Sequence, residues 1–223
     1  YSTYLGGSWD EAVTDIAVDD NGNAYVTGWT FSGTVDFPLT DTAFPSDPDS
    51  GTNDAFVAKY DKYGTLTYAT VIGGDADDEA NAIGVDAAGN VYLGGQTVST
   101  DYPTYAGYQS SRAGLTDGFL TKIGSTGTLE YSTYLGGANN SQNAEETNVF
   151  DSINDLTVTD NGTTYVVGET DSDSFPTVGL SSQYNGRVDP FVGRFAADGS
   201  PEYLRYFGGS HNAYGRGIGV DDT

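Results

Sequence analysis

Apolar and polar positions alternate along this chain in short runs. In Asp54–Tyr60, Phe56, Ala58 and Tyr60 point one way and Ala55, Val57 and Lys59 the other. Both faces are largely apolar, so such a strand belongs in a small sheet covered on both sides. The same reading gives strands at Ile16–Asp19, Ala24–Thr30 and Leu66–Ile72. An Asn21-Gly22 hairpin joins the first two, a long loop leads to the third, and a tight turn at Lys62-Tyr63-Gly64 leads to the fourth. No amphipathic helix of useful length appears.

The pattern recurs. Tyr4-Leu5-Gly6-Gly7, Val71-Ile72-Gly73-Gly74, Tyr134-Leu135-Gly136-Gly137 and Tyr206-Phe207-Gly208-Gly209 are spaced by 67, 63 and 72 residues. Each is followed by a strand ending near Asp19, Asp86, Thr159 or Asp221, and the first three of these run into hairpin turns at Asn21-Gly22, Ala88-Gly89 and Asn161-Gly162. The runs Asp54–Lys59, Asp117–Lys122 and Asp189–Arg194 complete the set. Four-stranded units at such a period fit the blades of a β-propeller, whereas β-helix coils are shorter and helical solenoids lack strands. The expected fold is therefore all-β, with three complete four-stranded antiparallel units (about 16–74, 83–137 and 156–209) in one segment spanning 1–223. A partial strand is expected at each end, over 1–7 and 216–223. Closed propellers hold about four to eight blades, so the remaining blades are expected from a longer parent chain or from another copy.

At these landmarks the sequence resembles the bacterial and archaeal SBBP β-propeller repeat family. The matching residues are Tyr131–Gly137, Ala17–Asp19 through Gly22–Gly28, Asp36-Phe37-Pro38 and Asp54–Lys59. The third unit departs, with Thr159 in place of the aspartate, Thr163 in place of the asparagine, and an insertion between Ala138 and Asp155. The resemblance implies an extracellular or cell-envelope propeller, often within long surface proteins, and brings no catalytic residues with it.

Composition narrows the function classes. With 32 Asp and Glu against 8 Lys and Arg, the formal net charge is −24, which disfavours nucleic acid and anionic membrane surfaces. No run approaches the length of a transmembrane helix. There is no cysteine, hence no disulfide, thiolate metal site or cysteine nucleophile. The 31 glycines among 223 residues are roughly twice the average usage of about 7% and point to many tight turns.

With the four strands of a unit lettered a to d in chain order, the tight a–b and c–d turns of an antiparallel meander share one face of the propeller and the long b–c and d–a loops the other. The long-loop face is the expected place for recognition, although acid is barely enriched there, with 18 of the 32 acidic residues. Asp75, Asp77, Asp78 and Glu79 form the densest carboxylate cluster; they read first as solvated charge and second as calcium ligands, since calcium takes six to eight oxygens. Tyr102, Tyr105 and Tyr108 in one b–c loop read as a surface for stacking on sugar rings. Asp19, Asp86 and Asp221 read as Asx-type turn residues. Asp54, Asp117 and Asp189 with Lys59, Lys122 and Arg194 read as a blade-stabilising polar pair or network, in which each Asp reaches either its own base or that of a neighbouring blade. His211 reads as a loop residue, and Asn139-Asn140-Ser141 and Asn161-Gly162-Thr163 match the glycosylation sequon.

These features give three expectations. The first is a non-enzymatic extracellular structural or adhesive module of a surface protein, sheath or filament, whose partner is itself or the rest of a longer chain. The second is a propeller that binds carbohydrate or calcium on the long-loop face. The third, weaker, is a polysaccharide-degrading enzyme, for which no residue stands out.

Overall fold

The computed structural model describes residues 1–32, 36–40, 52–138, 149–179, 183–185 and 187–221. Among these lie twelve strands in three sheets. The first sheet is β1 (Glu11–Val18), β2 (Ala24–Thr30), β3 (Asp54–Tyr60) and β4 (Leu66–Ile72). The second is β5 (Asp78–Val85), β6 (Val91–Thr97), β7 (Asp117–Ile123) and β8 (Leu129–Leu135), and the third is β9 (Asp151–Val158), β10 (Thr164–Thr170), β11 (Asp189–Phe195) and β12 (Pro201–Tyr206). Each is an antiparallel meander with strands in chain order. No helix among the described residues is long and apolar enough to cross a membrane.

The hairpins follow from their glycines. Gly22, Gly89 and Gly162 close the first turn of each sheet, and Gly64, Gly127 and Gly199 the last, all with φ between 79° and 87°. Gly22 N donates to Asp19 O and Asp19 N to Asn23 O, so the turn is a three-residue loop ending on a left-handed glycine.

The sheets stack through apolar faces and converge on their first strands: β5 packs on β1, β2 and β3, and β9 packs on β5, β6 and β7. One core cluster, with Tyr25, Val57, Ile83, Leu93 and Phe119, joins the first two blades. Another, with Tyr92, Leu120, Ile153, Leu156 and Phe191, joins the second and third.

Two expectations need correction. The first strands begin at Glu11, Asp78 and Asp151, five residues before Ile16, Ile83 and Leu156. The reason is a β-bulge at Thr14, Asn81 and Asn154, which the register skips in all three sheets. One extra residue breaks the period of two and hides the early half of the strand. The long b–c loops, where recognition is expected, lie against the sheets in their described parts. Thr40 bonds Ala69, Tyr105 pairs with Ser132, and Val178 pairs with Leu204, so each loop returns along the outer edge of the fourth strand and covers groups that would otherwise be unpaired.

Candidate functional site

The most elaborated region is the junction between blades, because the same contacts are made at each step. The bulged residue turns its side chain to the next blade: Thr14 Oγ1 donates to Ala80 O (2.6 Å), Asn81 Nδ2 to Ile153 O (2.9 Å) and Asn154 Nδ2 to Gly215 O (2.9 Å). Beside it, Asp15 accepts from Ile83 N and Asp155 from Ile218 N, both at 2.8 Å; the second blade has Ala82 at this position. Outer-strand tyrosines lie over the glycine turn of the following blade, with Tyr68 against Gly127 and Tyr131 against Gly199.

The double glycine belongs to this junction. Its first glycine faces a buried carboxylate: a Cβ on Gly136 would lie 2.6 and 2.7 Å from the two carboxylate oxygens of Asp117. Its second glycine donates N–H to a second acid, Gly7 to Glu11 (3.1 Å), Gly74 to Asp78 (2.7 Å) and Gly137 to Asp151 (2.8 Å). Hydroxyls complete the shell: Thr30 and Ser32 donate to Glu11, and Ser99 to Asp78 (2.8 Å). Asp117 in turn accepts from Ala113 N and Gly114 N, both at 2.8 Å, holding the incoming loop.

Burial sets the protonation of these acids. It pushes Asp78 up to about 7, against the hydrogen bonds from Thr97, Ser99 and Gly74. Asp117 is raised by burial. Asp151 is raised well above the usual carboxylate range by burial, with the charges of Asp117 and Asp171 adding to it. The Thr-x-Ser spacing (Thr30/Ser32, Thr97/Ser99, Thr170/Ser172) and the acid that follows the second glycine, four residues on in the first two units and fourteen in the third, are readable in the sequence once the units are aligned. The bulge hides only the acids from a reading by period two.

The chain ends extend the same geometry. Tyr1 lies against Gly64 as Tyr68 lies against Gly127. At the other end, Gly215 O accepts from Asn154 as Ile153 O does from Asn81, and Ile218 N donates to Asp155 as Ile83 N does to Asp15. The expected partial strands thus take the places of an outer and an inner strand, but neither is paired as a ladder, since no described residue lies beside them as a neighbouring strand. The faces they border stay open. Val13 and Ile16 are each 58% exposed, whereas their equivalents Ala80 and Ile83 are 0% and 4%, and Ile153 and Leu156 are 0% and 5%. At the opposite face Phe207 is 56% exposed, against 0% for Ile72 and Leu135. Segment 1–5 stands off the first sheet and leaves a cavity of about 300 Å³ over Val13, Ile16, Val26 and Tyr60.

The expected site residues separate. Asp75 accepts from Thr100 N, Asp77 from Asn53 N, Glu79 from Gln96 Nε2, and Asp78 is buried at the junction. The four therefore do not converge, and among the described residues no group of three His, Cys, Asp or Glu side chains is arranged to hold a metal. Tyr102 is not on a surface: it is 2% exposed, stacks on Phe119 at 4.7 Å and bonds Thr121 Oγ1 at 3.1 Å. It is the counterpart of Phe37 against Phe56 and Phe175 against Phe191. Tyr105 and Tyr108 are exposed, on the loop that covers the outer edge.

Of the pairings open to the strand acids and bases, the one between an Asp and its own strand's base is excluded. Asp54 and Lys59 stand at opposite ends of β3, about 17 Å apart at 3.3 Å per residue. The bases belong to a second recurrent network, with Lys59 4.8 Å over the Tyr25 ring, Lys122 5.4 Å over Tyr92 and Arg194 5.5 Å over Tyr165. Asp19 and Asp86 act as Asx-type turn residues: each accepts two turn amides, an asparagine side chain and a tyrosine hydroxyl. Asn161 accepts from Thr163 N inside its turn, His211 is exposed beside Ser210, and Asn139-Asn140-Ser141 lies outside the described residues.

A family model described as SBBP, beta-propeller repeat, matches residues 1–33, which include the first double glycine, the bulged strand and the first hairpin. No curated protein matches the chain.

Proposed function

Taking the chain as a carrier of the SBBP β-propeller repeat, we propose that it is a non-enzymatic structural module of an extracellular or cell-surface assembly. Its two open faces each take another blade of the same kind. One observation carries this reading: side chains exposed on the first and third blades stand where the inner junctions bury their equivalents. The open faces are thus the two halves of an interface the chain already makes twice. Burying such side chains contributes about 1.5–3 kcal/mol each when exposure is lost entirely. The recurrent carboxylates support the same reading, because each is engaged in holding a loop, a turn or a glycine amide. An acidic exterior suits a hydrated surface structure.

The test is static light scattering of the chain across a concentration series, beside the variant Ile16→Asp/Val18→Asp. The expected result is concentration-dependent association of the parent chain. The variant should stay at the mass of one chain with unchanged circular dichroism. A parent chain that remains monodisperse at one chain mass at about 100 μM, where contacts of micromolar affinity would be filled, would overturn the proposal.

A further inference from the structure

We propose that a cavity at the loop-side end of β5, β6, β9 and β10 binds a neutral sugar unit. It measures about 410 Å³ and is walled by Asn81, Gln96, Ser152, Asn154, Glu169 and Arg216 around Phe150. This volume lies within the range of about 300–1,000 Å³ usual for small-molecule sites. Six of the seven lining side chains carry hydrogen-bonding heads and one is an aromatic ring. A pyranose offers the matching chemistry, with hydroxyls that donate and accept and a C–H face that packs on a ring.

The wall is rich in acceptors. Asn81 Nδ2 is committed to Ser152 Oγ and Ile153 O, and Gln96 Nε2 to Glu79, which leaves their amide oxygens to accept. Oε2 of Glu169 is buried and accepts no hydrogen bond, and buried acceptors are seldom left so. Arg216 Nη2 stands 3.8 Å from it and adds donors to the wall. The opposed charges cancel, so an anionic ligand would meet Glu169 and the field of a chain carrying −24, and a cation would meet Arg216. A neutral polyol meets neither penalty.

Comparison among the units separates this cavity from the scaffold. Residues that the blade needs recur, as Thr14, Asn81 and Asn154 do in making the junction bond. Glu169 instead stands where the other units have Trp29 and Gln96, Phe150 where they have Asp10 and Asp77, and Ser152 where they have Ala12 and Glu79. The cavity lies where the second and third units meet, with Arg216 added from the C-terminal segment.

The probe is a panel of neutral hexasaccharides (cello-, malto-, xylo- and N-acetylglucosamine series), titrated into the chain by saturation-transfer NMR and calorimetry. Oligogalacturonate serves as the charged comparison. At least one neutral oligomer is expected to bind saturably with a dissociation constant below about 1 mM. Glu169→Ala should weaken it at least tenfold with the thermal midpoint unchanged, and Gln96→Ala provides the same readout if the first variant does not fold. Tyr105→Ala/Tyr108→Ala should leave binding intact. The proposal is overturned if no neutral oligomer binds, if oligogalacturonate binds equally well, or if the tyrosine variant loses binding while Glu169→Ala and Gln96→Ala keep it.

Discussion

Gly136→Ala tests whether the double glycine exists to make room for a carboxylate. Gly136 is not among the glycines with positive φ, so alanine would meet a cost of space rather than of backbone conformation. Its Cβ would come 2.6 and 2.7 Å from the two oxygens of Asp117, where ordinary contact begins at 3.4 Å. Asp117 is fully buried and cannot withdraw without lengthening the bonds from Ala113 N and Gly114 N. Overpacking costs about 1–3 kcal/mol, and a buried hydrogen bond left unmade adds about 1–3 kcal/mol. The expected loss is therefore about 2–6 kcal/mol out of a typical 5–15 kcal/mol, read by equilibrium urea unfolding. Gly219→Ala, where nothing lies within 4 Å, should stay within about 0.5 kcal/mol of the parent. In the double variant Asp117→Ala/Gly136→Ala the clash has no target, so it should be no less stable than Asp117→Ala alone. Additive losses, or a Gly136→Ala chain as stable as the parent, would refute the reasoning.

Two further outcomes follow from the junction. Asn81→Ala removes the donor that reaches Ile153 O and Ser152 Oγ, and should cost about 1–3 kcal/mol in urea unfolding because a carbonyl between blades loses its donor from the neighbouring blade; a change below about 0.5 kcal/mol would show that the bulge does not bond the blades. Asp78 has its folded pKa raised to about 7 from 3.8, so the folded chain binds more protons than the unfolded one between these values. This contribution is fully present below the unfolded pKa and is lost as pH rises through about 7. The thermal midpoint should accordingly fall from pH 5 to pH 7.5, and Asp78→Asn should flatten that slope; an equal slope in the variant would refute the assignment.

The strands legible in the sequence were those whose alternation runs unbroken. Ala24–Thr30, Asp54–Tyr60 and Leu66–Ile72 are read from period two and found with the same limits. The first strand of each unit was half hidden, because the bulge shifts Glu11, Asp78 and Asp151 out of phase with Ile16, Ile83 and Leu156. Carboxylates that belong inside strands therefore looked like loop charge, and Asp78 was grouped with Asp75, Asp77 and Glu79 by proximity in sequence alone. Tyr102 shows the complementary error. Read by its loop, it suggested a ligand surface; read by its alignment with Phe37 and Phe175, it is a core residue, since all three precede proline and meet the strand-c phenylalanine. In a repeat protein the position within the unit carries more information than the local neighbourhood, because neighbouring copies impose the same burial. That same rule distinguishes the junction residues, which recur, from Phe150, Ser152 and Glu169 of the cavity wall, which do not.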